Sequence, residues 1–63
     1  MWGDRAYIED SIKVASEDCG NEVSIVEVYI RSEIAYIVLK NIEGVFLAEY
    51  RANENGTATR IEE

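Results

Sequence analysis

The 63-residue chain has no histidine and a single cysteine, Cys19. These two absences remove several kinds of chemistry. No disulfide can close within the chain. A structural zinc centre lacks its usual nitrogen and sulfur ligands. A cysteine nucleophile lacks the imidazole that usually activates it, and Cys19 reads better as a small apolar residue in a buried stripe. Long apolar runs are missing too. The longest, residues 34–39, falls far short of the roughly 20 residues a membrane-spanning helix needs. No stretch reads as a secretory leader, so the expected location is the cytoplasm. Glycine is sparse, with isolated copies at positions 3, 20, 44 and 56. None of them forms a phosphate-cradling loop, and no spacing fits a calcium loop. The expectation is no metal, no cofactor and no enzymatic activity.

What the chain does have is negative charge. Thirteen acidic residues face six basic ones, for a net charge of −7. Such a chain repels phosphate backbones, so direct nucleic-acid binding is not expected, whereas a basic protein surface should attract it. The carboxylate pairs Glu9-Asp10 and Glu17-Asp18 do not read as an acid–base centre. Neighbouring helix residues point apart, and paired-carboxylate chemistry needs two groups in one cleft. They read as a solvated acidic face, with Lys13 spaced four residues from both Glu9 and Glu17.

The length, 1–63, allows one small domain. A domain of this size buries only about 60% of its unfolded surface, and its core rarely yields more than about 3–5 kcal/mol. With disulfides and zinc excluded, good packing or self-association must make up the difference.

Residues 4–19 read as an amphipathic helix. Asp4 is the expected N-cap and Gly20 the stop. Ile8, Ile12, Ala15 and Cys19 form one stripe, flanked by Tyr7 and Val14. Trp2, just before it, suits a hydrophobic staple or an exposed anchor. After Gly20 the apolar period changes to two. Residues 22–31, 34–41, 45–52 and 57–61 read as strands rich in Val, Ile, Tyr and Thr. Their connections are short, which makes sequential strands antiparallel neighbours. The expected fold is two-layer α+β, one N-terminal helix packed on a four-stranded antiparallel meander.

Two-residue loops at Ser32-Glu33 and Glu43-Gly44 set the register. Tyr29 then faces Tyr36, Val28 faces Ile37, Val26 faces Leu39, Ile37 faces Tyr50 and Leu39 faces Ala48. One face becomes wholly uncharged: Val26, Val28, Ile30, Ala35, Ile37, Leu39, Phe46, Ala48, Tyr50 and Ala52. That is the face for the helix stripe to cover. At the last turn, a two-residue Asn55-Gly56 loop would oppose Arg51 and Arg60, an unfavourable pair. A four-residue loop, opposing Glu49 and Arg60 and placing Ile61 in the core, is preferred.

The other face is unusually apolar for one with no second helix. It holds Val23, Ile25, Tyr29, Tyr36, Val38, Ile42, Val45 and Leu47 among the charges Glu27, Lys40, Glu49 and Arg51. Two accounts stay open. Lys40 and Arg51 stems shield a wet face, or the face is an interface, with Tyr29, Tyr36 and Arg51 as the hot-spot residue types. The first strand adds a second route. It lies at the sheet edge, and VSIVEVYI carries no Lys, no Pro and only Glu27 as a guard.

The functional expectation is a small acidic protein–protein interaction module, self-associating as a homodimer. A concrete form is an inhibitor that occupies a basic, nucleic-acid-binding surface of a partner protein. In size and charge alone the chain resembles small phage-encoded antagonists such as anti-CRISPR proteins. The expected partner-binding residues are Tyr29, Tyr36, Val38, Leu47 and Arg51 on the sheet, with Glu9, Asp10, Glu17 and Asp18 on the helix. The alternative is a homodimeric small-ligand-binding or regulatory subunit, with Tyr29, Tyr36 and Arg51 lining a pocket between chains for an anionic ligand.

Overall fold

The computed structural model describes residues 6–62. Helix α1 spans Tyr7–Cys19, followed by strands β1 (Ile25–Arg31), β2 (Ile34–Lys40), β3 (Phe46–Ala52) and β4 (Ala58–Ile61). The strands form one antiparallel sheet in the order β1-β2-β3-β4. This is the two-layer α+β meander expected from the pattern. The helix is shorter than the expected 4–19 and starts after Ala6, which makes no side-chain cap. Asp4 and Trp2 lie outside the described residues. The stop is as read: Gly20 donates its N–H to the Ser16 carbonyl at 3.1 Å.

The three connections differ in chemistry. Ser32 and Glu33 form a two-residue turn with φ of 52° and 69°. Both angles are positive, as a type I′ turn demands, although neither residue is glycine. The other two loops are built alike. Asn41 donates its N–H to the Val45 carbonyl and accepts one from Gly44 on its own; Asn53 does the same with Thr57 and Gly56. Each encloses three residues and ends on a positive-φ glycine, the usual three-residue hairpin geometry.

That geometry corrects two expectations. At the β3–β4 turn, neither two nor four residues form the loop. Glu49 therefore faces Ile61 and Tyr50 faces Arg60, so Ile61 leaves the core and is exposed. At the β2–β3 turn, the extra loop residue shifts the pairing by one, and a bulge between Leu39 and Lys40 shifts it back. The pairs Leu39↔Ala48 and Ile37↔Tyr50 hold as predicted. Phe46, within the shifted stretch, pairs with Lys40 instead and is 56% exposed.

The core consists of Ala15, Ala35, Ile37, Leu39, Ala48, Tyr50 and Ala52, with Tyr7, Ile8, Ile12, Cys19, Val23 and Ala58 packed around it. Val23 thus joins the core rather than the opposite face. The main contacts of α1 are with β2, β3 and β4. Strands lie about 4.8 Å apart, and a helix with its side chains is about 10–12 Å across. One helix therefore roofs two or three strands, and β1 is left outside it.

Ser11 is a polar residue the apolar stripe did not flag, and it is fully buried. Its hydroxyl donates to the Thr57 carbonyl at 2.9 Å, with the Asn53 carbonyl at 3.4 Å. One hydrogen bond thus ties the helix to the β3–β4 loop. Tyr50, also fully buried, donates its hydroxyl to Asp18 Oδ2 at 2.7 Å.

Candidate functional site

The expected partner-binding residues fall on opposite sides of the molecule. The helix, with its acids, lies on one face of the sheet. Tyr29, Tyr36, Val38 and Arg51 lie on the other, in the cross-strand rows Tyr29–Tyr36–Arg51 and Glu27–Val38–Glu49. A single flat partner cannot touch both sets.

On the helix, all four acids, Glu9, Asp10, Glu17 and Asp18, are exposed. Asp18 accepts the Tyr50 hydrogen bond, and Asp10 lies against the β3–β4 loop, where a Cβ on Gly56 would meet Asp10 Cβ at 3.3 Å. Asp18 therefore also ties the helix to β3, while Glu9 and Glu17 belong to the acidic surface alone.

The face away from the helix is largely committed to itself. The Tyr29 and Tyr36 rings stack at 5.2 Å with planes 21° apart. The Tyr29 hydroxyl donates to Glu49 Oε2, which holds its proton above the usual tyrosine range. Lys40 Nζ lies 3.1 Å from Glu27 Oε1. Arg51 Nε donates to Asn53 Oδ1 at 3.4 Å, and Asn53 Nδ2 donates to the hydroxyls of Thr57 and Thr59. Beneath this lattice Val38 and Leu47 are half-buried. Side-chain stems and rings lie over part of this face, while Tyr29 is 42% exposed and Phe46, paired with Lys40, is exposed as well. The Tyr29 hydroxyl and Arg51 Nε are both engaged. The depression nearest Arg51 is shallow, about 210 Å³, and includes Glu33 and Glu54, a poor lining for an anion.

A further apolar surface lies on the helix side of β1. Val26, Val28 and Ile30 alternate along β1 on the helix side, and they are 40%, 41% and 46% exposed. In the ladder they pair with the buried Leu39, Ile37 and Ala35, so they extend the core surface beyond the helix roof. The pattern had placed these three beneath the helix; the width of the sheet overturns that. A second exposed group, Ile42, Val45 and Phe46, sits at the β2–β3 turn.

The edge of β1 is open as well. A two-residue turn makes its flanking residues, Arg31 and Ile34, a hydrogen-bonded pair. Alternation then directs the backbone groups of Arg31, Tyr29, Glu27 and Ile25 towards β2. Those of Val26, Val28 and Ile30 point outward. Among the described residues, the same three thus present apolar side chains and backbone N–H and C=O groups with no strand beside them. The signal for this was in the sequence, as a meander edge without Lys or Pro.

Among the described residues, no three His, Cys, Asp or Glu side chains gather closely enough to hold a metal ion, and no helix is long and apolar enough to cross a membrane. Comparison with known protein families, with characterised proteins and with solved structures gives no match for this chain.

Proposed function

We propose that the chain is a non-catalytic protein–protein interaction module that works in the cytoplasm and binds through strand β1. The observation that carries this reading is the coincidence at Val26, Val28 and Ile30 of exposed apolar side chains with an open strand edge. A weakly guarded edge supplies main-chain hydrogen bonds to an added strand, and apolar side chains supply the affinity. The outer surface of α1, acidic through Glu9 and Glu17, serves as a second and electrostatic contact. It suits a basic protein surface, including one that otherwise binds nucleic acid.

Residue-resolved amide hydrogen exchange tests the reading. The 15N-labelled protein is measured dilute, concentrated, and in cytoplasmic extract. Exchange at Val26, Val28 and Ile30 should be fast in the dilute sample and at least tenfold slower in one of the other two. Equal, fast exchange at these amides under all three conditions would sink it. For the acidic contact, Glu9→Lys with Glu17→Lys and raised salt should each weaken any complex with a basic partner.

A further inference from the structure

We infer that the strand which pairs with β1 is β1 of a second copy, antiparallel and centred on Val28, giving a continuous eight-stranded sheet. This rests on the reading of β1 as the binding surface and names its occupant.

The argument begins with symmetry. A twofold axis normal to the sheet leaves every side chain on its own face. A residue can then oppose only itself or one an even number of positions away. Centring on Glu27 would set two carboxylates face to face, which is unfavourable. Centring on Tyr29 would leave Ile25 and Val26 without strand partners. Centring on Val28 pairs all seven residues, Ile25–Arg31. On the helix side Val28 meets Val28 and Val26 meets Ile30, so every pair is apolar and β-branched, a favourable cross-strand combination. On the other side Glu27 meets Tyr29 and Ile25 meets Arg31. No like charges face each other. The outward backbone groups of Val26, Val28 and Ile30 fall in the hydrogen-bonding positions, for about six new bonds.

Charge points the same way. The chain carries −7, but β1 holds one acid and one base, so its edge is locally neutral. A basic partner gains nothing specific there, while a second copy meets no local repulsion. The opposite edge does not compete. Strand β4 has four residues and carries Arg60, and short, charged edges resist pairing. With one adhesive edge per chain, pairing closes as a dimer and does not propagate as a filament.

Cysteine cross-linking, in a Cys19→Ala background, reads the register directly. In a hydrogen-bonded antiparallel pair the opposed Cα atoms are about 5.5 Å apart, within disulfide reach. Val28→Cys should oxidise to a covalent dimer at least tenfold faster than Glu27→Cys or Tyr29→Cys. In parallel, sedimentation equilibrium on the otherwise native chain should show a dimer, weakened at least tenfold by Val28→Lys, an exposed position where the monomer should stay folded by circular dichroism. Raised salt should strengthen this dimer, because it screens two chains of −7 from each other, the reverse of a complex with a basic partner. Fastest cross-linking at position 27 or 29 overturns the register. A dimer indifferent to Val28→Lys, or a wild-type monomer up to millimolar concentration, overturns the second copy. If the pure protein stays monomeric yet the β1 amides are protected in extract, the inference falls while β1 remains the binding surface. If they are exposed in both, the reading falls with it.

Discussion

Strands β2 to β4 and strand β1 belong to one sheet with one hydrophobic pattern, yet they meet different surroundings. Under the helix, Ile37, Leu39 and Tyr50 are fully buried. One strand away, Val26 and Val28, which pair with Leu39 and Ile37, keep about two fifths of their surface. The residue types on the two sides are alike. Their environments differ because a helix is narrower than a four-stranded sheet. The lesson is that an apolar face predicts where a protein is adhesive, and the covering element decides which part of it is spent on folding and which is left for partners.

Truncation should break the comparison most sharply. Leu39→Ala removes a fully buried side chain and should cost about 2–4 kcal/mol, close to the whole stability of so small a core. Val28→Ala, at concentrations where the chain is monomeric, should cost under about 1 kcal/mol. Urea titrations of both variants check this, and similar losses would mean that β1 is covered in the monomer.

The two three-residue loops offer a second contrast. Gly44 and Gly56 have φ of 84° and 90°. A Cβ at Gly44 meets open space, whereas at Gly56 it meets Asp10 on the helix. Gly44→Ala should cost roughly 1 kcal/mol from its backbone angle alone. Gly56→Ala should cost about 2 kcal/mol, because the loop must also move off α1. Equal costs would show that the loop is not held against the helix.

Tyr50 supplies a pH test of the covered side. Burial, with the hydrogen bond to Asp18 adding to it, pushes its hydroxyl up to about 12 from an ordinary 10.0. The folded state keeps this proton where the unfolded chain has already released it. The associated stability is complete below pH 10 and is lost between pH 10 and 12. Tyr50→Phe should cost about 1 kcal/mol at neutral pH and should flatten the fall in stability across that alkaline window.

The smallest effect lies beside the bare strand. Glu33 holds a φ of 69° in the β1–β2 turn. Glu33→Gly relieves a conformation that a side chain disfavours and should raise stability by roughly 0.5–1 kcal/mol. The gain should leave the binding behaviour of β1 unchanged, since the turn geometry is already the one glycine prefers.

Much of this architecture was legible in the sequence, for identifiable reasons. The change of period after Gly20 marked the end of the helix, and strict alternation located each strand. The register of β1 on β2 followed from the Ser32-Glu33 turn, and Leu39↔Ala48 followed from an assumed two-residue loop at Glu43-Gly44, which holds because the bulge offsets the extra loop residue. The loop errors have a common cause. The motif from Asn41 to Gly44 and that from Asn53 to Gly56 both close three residues, and sequence spacing does not distinguish three from two or four when a downstream bulge can absorb the difference. For the site, the exposed edge of β1 was visible, while the mutual engagement of Tyr29, Tyr36 and Arg51 with their neighbours was not. Their stacking and hydrogen bonds depend on cross-strand rows whose side-chain ends meet only once the strands are assembled. Ser11 was passed over because a polar residue in an apolar stripe gains its meaning from a partner 46 positions away.

By itself, then, the sequence determined the order and type of every element, the middle register of the sheet, the net charge and the absence of stabilising cross-links. These follow from local rules of period, turn preference and composition. Only the tertiary structure decided that the helix roofs three strands instead of four, that Phe46 and Ile61 leave the core, and that Asp18 receives the Tyr50 hydroxyl. Those outcomes depend on the widths of a helix and a sheet and on where distant backbone groups come into hydrogen-bonding range, quantities that exist only after the chain has closed on itself.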